Sequence, residues 1–327
     1  MPGGYHDVRL YFANLRRPPA TWYYIASLPS PVAKRFLVWT ISACSIALAD
    51  CLLLAQPAGI RMIVIIVVLL YTMKSVVYME CLIRDPRKLP LLRWIAFHCW
   101  IGMRPYVFAK RKDKPYDGGK LIRLGFVRLL IGIGMVTLSW LTWHWAAQWD
   151  WNPIVGRICA SGFLLAGLSL IGHFGLLNIG AGLWRKAGFD CQPLFRNPFQ
   201  SRSLNEFWSR RWNLAFSEMT SLGVYRPLAG LIGKNSAAFA SFLFSGILHE
   251  LAISLPVRQG YGMPLLYFFI HGCGIVIEHL LEKRGCPISK VPWVGRLWTI
   301  VWLVVPLPIL FHPAFLKGIV WPIVGIY

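Results

Sequence analysis

Seven apolar runs constrain this chain more than any other feature. They cover residues 36–54, 60–83, 121–147, 154–177, 237–255, 261–281 and 297–311, each near the ~20 residues that carry an α-helix across ~30 Å of hydrocarbon. The runs are continuously apolar rather than alternating, so helices are the structure that satisfies their backbone polar groups in lipid. The expectation is one all-α, multi-pass transmembrane domain over residues 1–327, with about seven spans plus interfacial helices. Residues 318–327 are too short to cross alone.

The charges support that reading. Lys and Arg number 34 against 13 Asp and Glu, a net charge of +21, which in a soluble protein would suggest nucleic acid. Here 29 of the 34 basic residues fall in four alternate segments, 1–35, 84–128, 183–236 and 281–296. By the positive-inside rule those segments and the N-terminus face the cytoplasm and the C-terminus lies on the opposite side. No nucleic-acid motif accompanies the charge, so nucleic acid is excluded as a partner and membrane lipid is included. The eight cysteines are scattered without a CxxC pair, giving neither a zinc site nor a disulfide framework. The polar N-terminus shows no apolar core with a small-residue cleavage site, so no cleavable signal is expected.

Basic and aromatic residues interleave between Arg84 and Lys120, as in an amphipathic segment lying in the headgroup layer. That cationic surface suits a phosphate-bearing ligand or anionic lipid. Trp140, Trp143, Trp145, Trp149 and Trp151 mark an interfacial belt at the other membrane face. Asp50, Lys74 and Glu80 are assigned to structure first, with snorkelling open to Lys74 and Glu80 near the end of the second span, and His144 and His173 are expected to be hydrogen-bonded interface residues.

The most informative stretch begins at Ser203-Leu204-Asn205-Glu206, a capping box that starts a helix near Leu204. Leu204, Trp208, Trp212, Ala215, Met219 and Leu222 follow helical spacing, which places Glu206, Arg210, Asn213, Ser217 and Thr220 on another side. Downstream, His249 and Glu250 sit inside an apolar run, where ionisable groups are costly and usually mark a pathway or a site. Ala238, Ser241, Ser245 and Ala252 share the histidine's face, with Gly246 beside it. Helix-packing glue is the competing account, since small residues and a bonded histidine serve that too. In the next run Tyr267, His271, Gly274 and Glu278 form one helical row, expected to line the same cavity as His249.

The string N-P-F-x-S-x-S-L-x-E-F-W-x-R-R-W-N over 197–213, followed by F-x-x-S-G-x-x-H-E over 242–250, resembles the wax synthase branch of the membrane-bound O-acyltransferases. The resemblance covers about the last half of the chain, with its core motif region at 196–282. It implies a membrane tunnel in which acyl-CoA, as co-substrate, meets a hydrophobic alcohol, without a further cofactor. It also implies that the intramembrane histidine, His249, is the catalytic base and that Asn213 is its companion. Residue chemistry agrees: a neutral imidazole takes the proton of an attacking alcohol, and a carboxamide stabilises the oxyanion without burying another charge. The substrate-binding candidates are Arg210, Arg211, Trp208, Trp212, Ser245, Glu250 and His271. For the two arginines, donor phosphates and headgroup anchoring are equal alternatives.

Wax ester synthesis is the leading expectation, with sterol or specialised-metabolite acylation as the alternative. The membrane is bacterial inner membrane or endoplasmic reticulum, and neither acceptor nor oligomeric state is encoded in a motif. His249, Glu250, His271, Glu278 and His279 are potential metal ligands, but the clustered histidine repeats of a di-iron oxygenase are missing and no metal is expected. A transporter would show internal repeats, which are not evident. A transporter or a non-catalytic scaffold would leave acyl transfer indifferent to His249.

Overall fold

The computed structural model describes residues 30–149 and 151–326. Among them there is no strand, and seven helices are long and apolar enough to cross a membrane. Each overlaps one of the runs read from the sequence. Their outer faces carry many exposed large apolar side chains, such as Leu52, Ile63, Leu130, Ile158 and Leu297, as lipid-facing surface requires.

Helices α1 (Pro31–Leu52) and α2 (Ala58–Arg84) pack as an antiparallel pair clamped by ion pairs at both ends. At one end Arg35 grips Glu80 through two hydrogen bonds of 2.6 and 2.9 Å. At the other Arg61, only 4% exposed, donates to Asp50 at 2.5 Å and to the Pro256 carbonyl at 2.9 Å. A charge in an apolar span is tolerable when paired in this way, and removing one partner of such a pair costs about 3–5 kcal/mol.

Lys74 and Glu80 serve structure, as assigned first from the sequence, and do not snorkel. Lys74 is fully buried, its Nζ donating to the Phe97 and Gly102 carbonyls at 2.9 Å each and lying 4.0 Å from the centre of the Phe97 ring. It thereby ties the short amphipathic helix α3 (Leu91–His98) and the turn after it against α2. Glu80 is held inward by Arg35 instead of reaching for water. Both residues sit where a chain segment folds back over the helix, so their polar ends find protein partners closer than the membrane surface.

Helix α4 (Gly119–Gln148) and the long helix α5 (Pro153–Lys186) form a hairpin whose turn is capped by Asn152, with Oδ1 accepting from Ile154 N at 2.9 Å. Glycines let their backbones meet: a Cβ on Gly132 would come 2.8 Å from the Gly167 carbonyl oxygen, and one on Gly125 2.7 Å from that of Gly175. His144 bonds back to the Trp140 carbonyl, and His173 stacks on Phe195.

The remaining elements build the site. They are α6 (Leu204–Glu206, continuing as a π turn Phe207–Arg211) and α7 (Leu214–Thr220, then Ser221–Tyr225 and Arg226–Ile232). Helix α8 follows (Lys234–His249, then a π segment Glu250–Ser254 and Leu255–Val257), then α9 (Met263–Lys283) and α10 (Pro292–Val304). A final irregular helix, α11, begins at Pro313–Phe315 and continues through Leu316–Val320. Glu278 of α9 ties three of them together. It accepts from the free Leu204 and Asn205 amides at the start of α6, at 2.6 and 3.1 Å, and from Trp298 Nε1 of α10 at 2.9 Å. Glu278→Ala is expected to destabilise the protein by about 1–3 kcal/mol, with Glu278→Gln losing less, measured as thermal unfolding in detergent.

Candidate functional site

Ser203 caps α6 as expected, its hydroxyl accepting from Glu206 N at 3.0 Å. Glu206 reaches back one residue further than a standard capping box, accepting from Arg202 N at 2.8 Å. Its other oxygen takes Arg211 at 2.7 Å. Arg211 also donates to the Arg196 and Asn197 carbonyls, at 3.3 Å each, while Arg196 N donates to the Arg211 carbonyl at 2.8 Å. The arginine therefore fastens the preceding loop onto the motif.

The single helix expected from Leu204 to Leu222 is broken. Trp212 is extended, and Asn213 is left-handed with φ 42° and ψ 64°. Asparagine tolerates that conformation better than most residues because its short polar side chain bonds locally. Its Oδ1 accepts from Phe216 N at 3.3 Å, capping α7. Asn213 is thus a helix cap at a break, not a member of a polar helical row. With the oxygen bonded to the backbone, the Nδ2 donor has no protein partner among the described residues.

His249 is the last α-helical residue of α8 before the π segment. Its Nδ1 lies 2.7 Å from the Ser245 carbonyl. A carbonyl only accepts, so Nδ1 carries the proton and Nε2 presents a lone pair. The ring sits between Phe268 and Phe216, with centroids at 4.3 and 5.5 Å.

Two cavities meet at this residue. The first, about 190 Å³, is lined by Trp208, Trp212, Thr220, Tyr225, Ser241, Ser245 and Phe268 among others. The second, about 210 Å³, is walled by Leu69, Met73, Met103, Met219, Leu248 and Ala252. Asn213, Phe216 and His249 border both. A wide vestibule of about 950 Å³ adjoins the first cavity, sharing Ser209, Ser217 and Ser221 with it. Its walls carry Arg84, Arg87, Lys88, Arg104, Lys110 and Arg226 with Asp85 and Glu218. Burial pushes the Glu218 carboxyl above its usual range, although its ion pair with Arg104 opposes this.

The structure sorts the sequence candidates. His249, Asn213, Trp208, Trp212 and Ser245 share the first cavity. Arg210 is exposed, and neither it nor Arg211 lines any of these three spaces. Glu250 turns away, accepting from Leu265 N at 3.0 Å and so capping α9. The row Tyr267, His271, Gly274 and Glu278 does not line the cavity with His249 as expected. His271 is fully buried behind Trp208, with its Nδ1 2.8 Å from the Tyr267 carbonyl, and Gly274 packs on Leu204 and Trp302. The row faces α6 and α10 because Glu278 anchors it there, leaving Phe268 of the same helix toward His249. Phe216, Phe268, Leu69 and Met73 escaped sequence reasoning because apolar side chains in apolar spans carry no distinguishing signal. No cluster of possible metal ligands occurs among the described residues.

Residues 191–270 match the model of the membrane bound O-acyl transferase family. Three similar proteins come from Arabidopsis thaliana. The "Probable long-chain-alcohol O-fatty-acyltransferase 6" is 34% identical over 139 residues, 37% of this chain and 40% of the relative. The "Probable long-chain-alcohol O-fatty-acyltransferase 2" is 32% identical over 153 residues, 44% of each. The "Acyl-CoA--sterol O-acyltransferase 1" is 31% identical over 135 residues, 38% of this chain and 39% of the relative. The matched stretch therefore spans less than half the length of these relatives. The stretch matched by the family model contains both motifs read from the sequence and the residues Asn213 and His249.

Asn213→Ala loses both the cap and a residue suited to left-handed backbone, whereas Asn213→Gly loses only the side chain. The expected cost is about 1–2 kcal/mol for Ala and a few tenths for Gly, compared by thermal unfolding of both variants.

Proposed function

We propose that the protein is an acyl-CoA-dependent O-acyltransferase that esterifies a hydrophobic alcohol, with long-chain alcohols and wax esters as the leading acceptor and product. The observation that carries this is that His249, its Nδ1 bonded to the Ser245 carbonyl, and Asn213, its Oδ1 bonded to Phe216 N, both border the two cavities that meet there. The matched family segment, and the relatives named for fatty-alcohol and sterol acylation, support the same reaction class. The sterol relative supports sterols as the second acceptor class.

In this mechanism His249 Nε2 removes the hydroxyl proton as the alcohol oxygen attacks the thioester carbonyl. Asn213 Nδ2 donates to the oxyanion that develops on the carbonyl oxygen. The tetrahedral intermediate collapses with cleavage of the carbon–sulfur bond, and the imidazolium returns its proton to the departing thiolate. Atoms balance without a metal or redox group. The basic vestibule offers the donor's phosphates countercharge and opens toward the first cavity. With the basic loops on the cytoplasmic side, the donor is drawn from the cytoplasm and the N-terminus lies there, in bacterial inner membrane or endoplasmic reticulum. The whole chain is read as one catalytic domain.

The test is ester formation by the protein in liposomes supplied with acyl-CoA and a long-chain alcohol, with products identified by mass spectrometry. His249→Ala is expected to lower turnover by ~10²–10⁴-fold, and Asn213→Gly, which keeps the fold, by ~10²–10³-fold. Wild-type turnover in His249→Ala would remove it as the base. Replacing Arg84 and Arg226 by Ala together is expected to raise the KM for acyl-CoA and weaken its dependence on salt, leaving kcat largely unchanged.

A further inference from the structure

The vestibule and the second cavity share no lining residue, yet at two places neighbouring residues of the chain face one space each. Met103 lines the cavity and Arg104 the vestibule; on α7, Met219 lines the cavity and Glu218 the vestibule. Both methionines are buried, whereas the Arg104 side chain is 42% exposed. One carboxylate joins the two stretches. Glu218 is ion-paired with Arg104 Nε, and the Met103 amide also favours its charged form. Arg196, from the loop before α6, faces the same carboxylate.

The chain is fixed on both sides of this joint. Lys74 holds the Gly102 carbonyl at 2.9 Å, and the fully buried Phe108 anchors the short turn Pro105–Phe108, whose Val107 amide donates to the Arg104 carbonyl at 3.3 Å. What can move between these anchors is Met103 and the long Arg104 side chain. The guanidinium stands at the edge of a space where Arg84, Arg87, Lys88 and Arg226 already gather positive charge. A phosphate there competes with Glu218 for it, because arginine pairs with phosphate through two parallel hydrogen bonds. Methionine is unbranched and flexible, so Met103 can follow without a clash.

Resting on the acyl-transfer reading, which gives the vestibule the donor's phosphates, we infer that Glu218 is a positioning residue that couples the vestibule to the second cavity. It holds Arg104, and with it Met103, until a phosphate draws the guanidinium away. Met103 then shifts in the wall that it shares with Met73, Met219 and His249. The coupling is reciprocal: whatever fits the shifted wall better also tightens the hold on the phosphates.

The protein carries its own reporter, since three of its eight methionines, Met73, Met103 and Met219, line the second cavity. The test is NMR of protein labelled with 13C at the methionine methyls, in nanodiscs of zwitterionic lipid, with Met103→Leu assigning the resonance. Coenzyme A is titrated in, with adenosine as the uncharged control, and its binding is measured separately by equilibrium dialysis. Coenzyme A is expected to shift the Met103 methyl saturably, with the midpoint of its binding. In Glu218→Gln and in Arg104→Gln the methyl is expected to sit near the shifted position without ligand and to respond little further. Glu218→Gln is also expected to bind coenzyme A ~5-fold more tightly, whereas loss of a mere buttress would leave binding unchanged or weaker. Asp85→Asn removes another vestibule carboxylate and is expected to leave the Met103 response intact, which separates coupling from net charge. Arg104→Gln and Arg104→Lys carry the test if Glu218→Gln fails to elute as a single folded species. Coenzyme A bound with the Met103 methyl unmoved, or a full response retained in Glu218→Gln, would overturn the inference. So would a shift produced by anionic phospholipid alone, to which coenzyme A adds nothing. No binding of coenzyme A by the wild type would instead defeat the placing of the donor's phosphates on which the inference rests.

Discussion

A helix interrupted inside a membrane protein exposes amide and carbonyl groups that hydrocarbon cannot satisfy, and the site depends on how this chain satisfies them between Arg211 and Leu214. The Arg211 carbonyl accepts from Arg196 N, and Leu214 N donates to the Leu194 carbonyl. Asn213 caps the new helix with its own side chain. Glu206 fixes Arg211, and Glu278 fixes the start of α6 that carries Glu206. Every one of these bonds supports a left-handed residue that borders the same cavities as His249. The break is what lets a backbone-capping residue also present a donor.

Irregular helix recurs around the same place. Wide π turns occupy Phe207–Arg211, Ser221–Tyr225 and Glu250–Ser254, in the three helices that contribute Trp208, Tyr225 and Ala252 to the cavities. An inserted π turn shifts the phase of the side chains beyond it without ending the helix, and such turns gather at functional sites. In α8 the shift begins at Glu250, so the ring of His249 bonds back to Ser245 in regular helix while Glu250 swings out to cap α9. Adjacent residues in sequence thereby take unrelated tasks.

The ionisable groups within the spans divide in the same way. Asp50, Arg61, Lys74 and Glu80 each have protein partners and hold elements together. His249 bonds through Nδ1 to the Ser245 carbonyl, and the residue borders both cavities. What sets His249 apart from these groups is its place at the border of two cavities, which neither residue type nor position in a span reveals.

Much of this was legible in the residues themselves. Continuous apolar runs near twenty residues dictate helices because lipid offers the backbone no other partner, and the basic loops divide them consistently. The two motifs singled out His249 and Asn213, since a histidine in an apolar run and a motif-end carboxamide are conspicuous. Other features were written in the sequence less openly: Gly118, Gly125 and Gly132 recur every seven residues, the spacing that lets α4 meet α5 closely. The tertiary structure alone decided the break at Asn213, because a cap residue leaves the apolar spacing on either side helical in register. It alone turned His271 behind Trp208 and brought Phe268 to His249, because the anchoring of Glu278 by α6 and α10, elements distant in the chain, sets the rotation of α9. The cavities, too, arise from the meeting of α2, α6, α7, α8 and α9, and empty space between helices has no local signature in any of them.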